Sequence, residues 1–190
     1  MKKRKKYILT IIISVIFIVT LTIYLKNKVF ANNYQVKEAK IKEIGFVFNQ
    51  ADIVWDGLTE SELADKLDKN LYHELTGTGK YFAAYTAKTG LDPYLAVSIV
   101  NLETGCKWGC SYLAKTCNNI GGMKGKPSCN GSSYASFNSL EDGINSYLNL
   151  VYKGYWLKGL TNAELMNSKY AESTTWAEKV NRYYETIKAS

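Results

Sequence analysis

A mostly α-helical domain is what this sequence predicts. It has one buried central helix and a small irregular or β lobe tied by disulfides, with a single N-terminal membrane-spanning helix ahead of both. Three observations carry that expectation. Residues 91–105, LDPYLAVSIVNLETG, are apolar on nearly every helical face, as a helix enclosed by other helices must be. Four cysteines fall between Cys106 and Cys129, in a stretch rich in Gly, Ser and Asn. Tyr7–Leu25 is a run of 19 residues without a charge, behind the basic cluster MKKRKK.

The formal net charge of +7 is unevenly spread. Residues 1–31 hold seven of the 24 Lys and Arg and no acid. The other 17 basic residues are matched by 17 acidic ones, so the rest of the chain is formally neutral. A nucleic-acid-binding reading therefore loses its main support, and no nucleic-acid partner is expected. Nineteen helical residues span ~28 Å, the thickness of a bilayer core. The basic cluster holds the N-terminus inside, which puts the remaining chain on the outer face of the cytoplasmic membrane. Val29-Phe30-Ala31 has the small-residue spacing of a signal-peptide cleavage site, so secretion after cleavage at Ala31 is the competing reading. The expected organisation is an anchor over 1–31, a stalk over 32–57 and a folded domain over 58–190.

Within the domain, Thr59-x-x-Glu62 is a capping box that starts a helix over about Glu60–Tyr72, with Leu63, Leu67 and Leu71 on one face. A short helix is expected over Lys80–Lys88, ended by Gly90. In the central helix Asp92 is the N-cap, Pro93 the first helical residue and Gly105 the C-cap. Residues 106–138 read as loop or hairpin rather than helix. Helices resume at Ser139-x-x-Asp142, with Ile144, Tyr147, Leu148 and Val151 inward, and at Thr161-x-x-Glu164, ending near Asn167. The last helix covers about Trp176–Ile187. His73 is isolated and reads as a helix-end residue.

Cys106, Cys110, Cys117 and Cys129 form an even set in an exported domain, which predicts two disulfides with three possible connectivities. Their spacing lacks the paired C-x2-C of common zinc sites, and neither metal nor cofactor is expected. The chemistry-bearing residue is Glu103. It shares a stripe with Ile99 and Val100 at the end of an apolar helix that has no packing use for a carboxylate. Burial and the negative helix terminus both raise a carboxyl pKa, which is how a glutamate stays protonated and serves as a general acid.

Four stretches together resemble the bacterial glucosaminidases, glycoside hydrolase family 73 of the lysozyme-like superfamily. They are Gly79-Lys80-Tyr81-Phe82 with Leu102-Glu103-Thr104-Gly105; Asn118-Asn119-Ile120-Gly121-Gly122-Met123; Tyr134-Ala135-Ser136-Phe137 leading to Asp142-Gly143-Ile144; and Tyr170-Ala171 with Trp176-Ala177-Glu178-Lys179-Val180. The resemblance implies a lysozyme-like fold acting on the β-1,4 glycan of peptidoglycan, and a monomer is expected. It implies Glu103 as proton donor and Tyr170 near the cleaved bond. Trp108, Tyr134 and Phe137 are candidates for stacking on sugar rings, or for a small core of the lobe. Asn118 and Asn119 either bond acetamido groups or turn the chain. Gly121, Gly122 and Met123 are candidates for backbone approach to the sugar.

One feature departs from the two-carboxylate pattern of most glycosidases. No Asp or Glu lies between Glu103 and Glu141, and Glu141 and Asp142 sit where a helix start favours acids. The second role falls to the substrate's acetamido group, a sugar hydroxyl, or a water held by tyrosine. A lytic transglycosylase or muramidase, and a catalytically silent wall-binding module, stay open as alternatives.

Overall fold

The computed structural model describes residues 20–29, 32–33, 35–37, 40 and 53–190. The chain divides into two units, Met1–Ala51 and Asp52–Ser190. In the first, residues 20–29 are helical and expose Leu21, Ile23, Tyr24, Leu25 and Val29. Most of the predicted membrane span lies outside the described residues. Among the described residues no helix is long and apolar enough to cross a membrane.

The second unit opens with an antiparallel hairpin, β1 (Ile53–Trp55) and β2 (Leu58–Thr59). Its turn, Asp56-Gly57, has positive φ at both residues (49° and 77°), which suits Asp-Gly and matches the strand twist. Residues 53–57 are expected to belong to a stalk. Here they pack with β2 against the first helices.

Seven α-helices follow in this unit: α1 (Glu60–Asp68), α2 (Gly79–Thr89), α3 (Pro93–Thr104), α4 (Tyr112–Cys117), α5 (Leu140–Gly154), α6 (Ala163–Tyr170) and α7 (Trp176–Ala189). The capping box is present: the Thr59 amide donates to Glu62 Oε2 at 2.9 Å, and the Glu62 amide donates to Thr59 Oγ1 at 3.3 Å. α1 stops four residues short of the expected Tyr72. Asn70 turns its amide back to the Lys66 carbonyl, and a 3-10 turn over His73–Leu75 takes over, so Leu71 and Leu75 still reach the core. His73 sits in that turn with φ 54°.

α3 is enclosed as its composition requires: every residue from Leu91 to Asn101 is buried. Asp92 Oδ1 accepts from the amides of Tyr94 (2.9 Å) and Leu95 (3.1 Å), and Gly105 closes the other end in the left-handed conformation. Tyr94 joins three elements. Its hydroxyl donates to Asp56 Oδ2 at 3.1 Å, and its ring meets Trp55 and Tyr184 edge-on. α7 lies along α3, with Val180 and Ile187 buried between them. α5 covers another side with Ile144, Tyr147, Leu148 and Val151, all fully enclosed as predicted.

Residues 106–138 correct the expectation of a lobe without helix. Ser111 Oγ accepts from the Ala114 amide, and Asn118 closes the far end in the left-handed region, which is enough for α4. The β character is confined to two isolated bridges, Lys124 with Tyr134 and Ser128 with Ala135. Of the three connectivities, the fold selects Cys106–Cys110 and Cys117–Cys129. α6 also differs from expectation. Its cap is Asn162, whose Oδ1 accepts from Leu165 at 2.8 Å, and it runs on to Tyr170 rather than ending near Asn167.

Two outcomes are expected in urea denaturation. Asp92→Ala removes the helix cap and should cost about 1–2 kcal/mol. The pair Cys117→Ser/Cys129→Ser opens a loop with sequence separation 12 and should cost about 3 kcal/mol, with proteolysis beginning inside 117–129.

Candidate active site

Glu103 stands in the last turn of α3, half-buried. Burial pushes its carboxyl pKa up, and one hydrogen bond works in the opposite direction. That bond comes from Trp176, whose Nε1 donates to Glu103 Oε1 at 3.1 Å. Trp176 is the first residue of α7 and is buried, so the acid is held by a rigid neighbour.

Behind Trp176 the aromatic rings continue. Tyr170, the last residue of α6, stacks on Trp176 with centroids 4.7 Å apart and planes at 23°. Tyr155 lies 5.3 Å beyond Tyr170. The Tyr170 hydroxyl is buried and has no hydrogen-bond partner among the described residues. Burial and the charge of nearby Glu103 raise its pKa far above the usual phenol range, so it remains an O–H donor. Tyr147 of α5 lies fully buried close to the same pair, and both Tyr170 and Glu103 raise its pKa after burial does. Its hydroxyl donates to the Ala96 carbonyl of α3 at 2.8 Å.

The predicted residues do not all converge on this carboxylate. Glu103 and Tyr170 do. Glu141 and Asp142 are exposed in the first turn of α5, where the Asp142 amide donates to the Ser139 hydroxyl as a cap.

Asn119 is 1% exposed and its amide is spent on backbone: Nδ2 donates to the Met123 and Ala135 carbonyls at 2.8 Å each, while Oδ1 accepts from the Met123 amide. Asn118 donates to the Phe137 carbonyl at 3.0 Å. Of the two readings open for these asparagines, their bonds are those of the loop-forming one. A Cβ on Gly121 would lie 2.6 Å from the Tyr147 ring, so that glycine lets the loop close over Tyr147. Gly122 is exposed and left-handed, Met123 packs against the core, and Phe137 is half-buried. Tyr134 is 37% exposed, whereas Trp108 is 82% exposed and lines a separate cavity described below. Trp176 and Tyr147 are site residues that the sequence alone does not mark as such. The Trp176-Ala177-Glu178-Lys179-Val180 run was the available signal for the first, and none marked the second.

One half-buried protonatable carboxyl held by an indole, beside a phenol without a hydrogen-bond partner among the described residues, can protonate a leaving oxygen and steady the charge left behind. A family model described as Glucosaminidase, mannosyl-glycoprotein endo-beta-N-acetylglucosaminidase, matches residues 79–189. The chain belongs to that family. No curated protein matches it. The glucosaminidase match begins at α2 and ends with α7, so it contains Glu103, Tyr147, Tyr170 and Trp176 alike. Glycoside hydrolysis is the chemistry of this domain, and peptidoglycan is the substrate that the family implies.

Trp176→Phe should raise the Glu103 carboxyl pKa further, because the lost N–H stabilised the charged form. Carbon-detected NMR titration of the Glu103 carboxyl checks this; an unmoved or lowered midpoint contradicts it.

Proposed function

We propose that this protein cleaves the β-1,4 glycan backbone of peptidoglycan as an N-acetylglucosaminidase, with Glu103 as general acid. The observation that carries the reading is the half-buried Glu103 carboxyl, pushed toward its protonated form and held by Trp176. Glu103 gives its proton to the glycosidic oxygen as the bond from that oxygen to the anomeric carbon breaks. The sugar left behind develops oxocarbenium character. Tyr170, whose hydroxyl has no hydrogen-bond partner among the described residues, offers its oxygen to that charge or holds the attacking group. With no Asp or Glu between Glu103 and Glu141 in the chain, and with Glu141 and Asp142 exposed at the start of α5, the substrate's own acetamido oxygen is the favoured nucleophile at the anomeric carbon. Water then opens the resulting ring intermediate, and Glu103, now ionised, takes the proton from that water.

We further propose that Tyr7–Leu25 anchors the chain in the cytoplasmic membrane with the domain on the wall side. The uncharged run and its basic flank support this, as do the exposed apolar side chains over residues 21–29.

Glu103→Gln should reduce release of soluble wall fragments by about 10²–10⁴-fold while leaving the circular dichroism spectrum and melting temperature close to those of the parent. Full activity in that variant removes the mechanism. Mass spectrometry of the fragments should find reducing N-acetylglucosamine ends. Reducing N-acetylmuramic ends or anhydro ends assign the alternative muramidase or transglycosylase chemistry, and binding to wall without release assigns a silent binding module.

A further inference from the structure

A cavity of about 440 Å³ lies between the C-terminal half of α3, the middle of α7 and the turn that follows Glu103. Glu103, Tyr170 and Trp176 are not among its lining residues, so it stands apart from the acid. Three cations line it: Lys107, Lys179 and Arg182. No carboxylate is among the described lining residues. Arg182 also reaches Glu178 at 2.6 Å, in a solvent-exposed pair of little strength. Trp108 leaves most of its ring in solvent, with the Lys107 ammonium 5.6 Å from the ring centre.

The inner wall carries a second signal. Asn101 is 1% exposed, and its Nδ2 donates to the Asn70 carbonyl at 2.9 Å. Its Oδ1 is buried and has no donor among the described residues. Leaving a buried amide oxygen unpaired costs about 1–3 kcal/mol, so a site that keeps one gains by receiving an N–H. Cations at the rim and an acceptor within ask for a ligand that is anionic and also carries an N–H. A peptide ending in a free carboxylate has both. A phosphodiester polymer satisfies the cations and brings no N–H to Asn101.

We propose that this cavity binds the peptide arm of the wall polymer, with a backbone N–H on Asn101 Oδ1, a carboxylate on Lys179 and Arg182, and Trp108 against the peptide's apolar face. The inference rests on the reading that wall glycan is cleaved at Glu103. The reach is adequate. Along α7, Lys179 and Tyr183 lie ~4.5 and ~10 Å past Trp176, which holds the acid. An extended arm of four residues spans ~13 Å. A sugar at Glu103 and its peptide in the cavity thus fit one strand.

The test uses the full chain carrying Glu103→Gln, so that binding is read without turnover. The probe is N-acetyl-L-Ala-γ-D-Glu-L-Lys-D-Ala, followed by calorimetry and by tryptophan fluorescence. Binding is expected, weakened about tenfold or more by amidating the terminal carboxylate and by Lys179→Gln/Arg182→Gln. Both substitutions are on the exposed side of α7 and should leave the melting temperature unchanged. Absence of binding at millimolar probe overturns the proposal, as does equal affinity for the amidated probe or equal displacement by a glycerol phosphate polymer. A second measurement separates the two readings. With Glu103 restored, the double variant should raise KM on peptide-bearing wall and leave cleavage of peptide-stripped glycan unchanged. If the parent chain cuts neither substrate, the hydrolase reading fails, and the probe titration still decides the cavity.

Discussion

The antiparallel pairing of α3 with α7 is the constraint on which the domain depends. α3 is a buried apolar rod with a carboxylate near each end, Asp92 and Glu103. A buried carboxylate without a partner is costly, and α7 supplies a donor to both. Tyr184 donates to Asp92 Oδ2 at 3.0 Å, and Trp176 donates to Glu103 Oε1 at 3.1 Å. Along α7 those donors are eight residues apart, ~12 Å, against ~16 Å between the carboxylates along α3. The two side chains make up the difference. A shift of one helix along the other would break both bonds together. The structure that stabilises the core therefore also sets the position of the acid.

The two bonded carboxylates do different work because their surroundings differ. Asp92 accepts three hydrogen bonds at a helix start, and burial still prevails and raises its pKa. Glu103 accepts a single bond at a helix end, where no backbone N–H is free to hold its charge. The result is a structural cap at one end of the rod and a carboxyl shifted toward its protonated form at the other. Tyr147 and Tyr170 lie beside the acid as neutral phenols, since burial keeps both from ionising.

The cysteine-tied lobe follows a different principle. It contributes few large residues to the main core and is held by bonds of its own. The Cys117–Cys129 link, the backbone bonds of Asn119 and the close contact of Gly121 with Tyr147 fix its loop against α5. Its polar residues are largely consumed in building the loop. Lys107, on the turn after α3, and Lys179 and Arg182, on the outer side of α7, line the 440 Å³ cavity.

Much of this was legible locally. The cap signals at Thr59, Asp92 and Ser139, the glycine after α3, the apolar composition of 91–105 and the odd glutamate at its end all depend on neighbours within one or two helical turns. The apolar run near the N-terminus and the charge balance are likewise properties of the chain itself. What sequence left open involves partners far apart. The cysteine pairing was one of three until the loop was folded. The indole that holds Glu103 is 73 positions away, and Tyr147 is 51 positions from the carbonyl it bonds. Asn119 and Gly121 read equally as ligand contacts or loop residues, because only the folded neighbours reveal where their bonds and space are used. Sequence determined by itself that a buried helix would end in a protonatable acid. Tertiary structure alone decided what holds that acid, since hydrogen bonds between distant residues leave no periodicity in the chain.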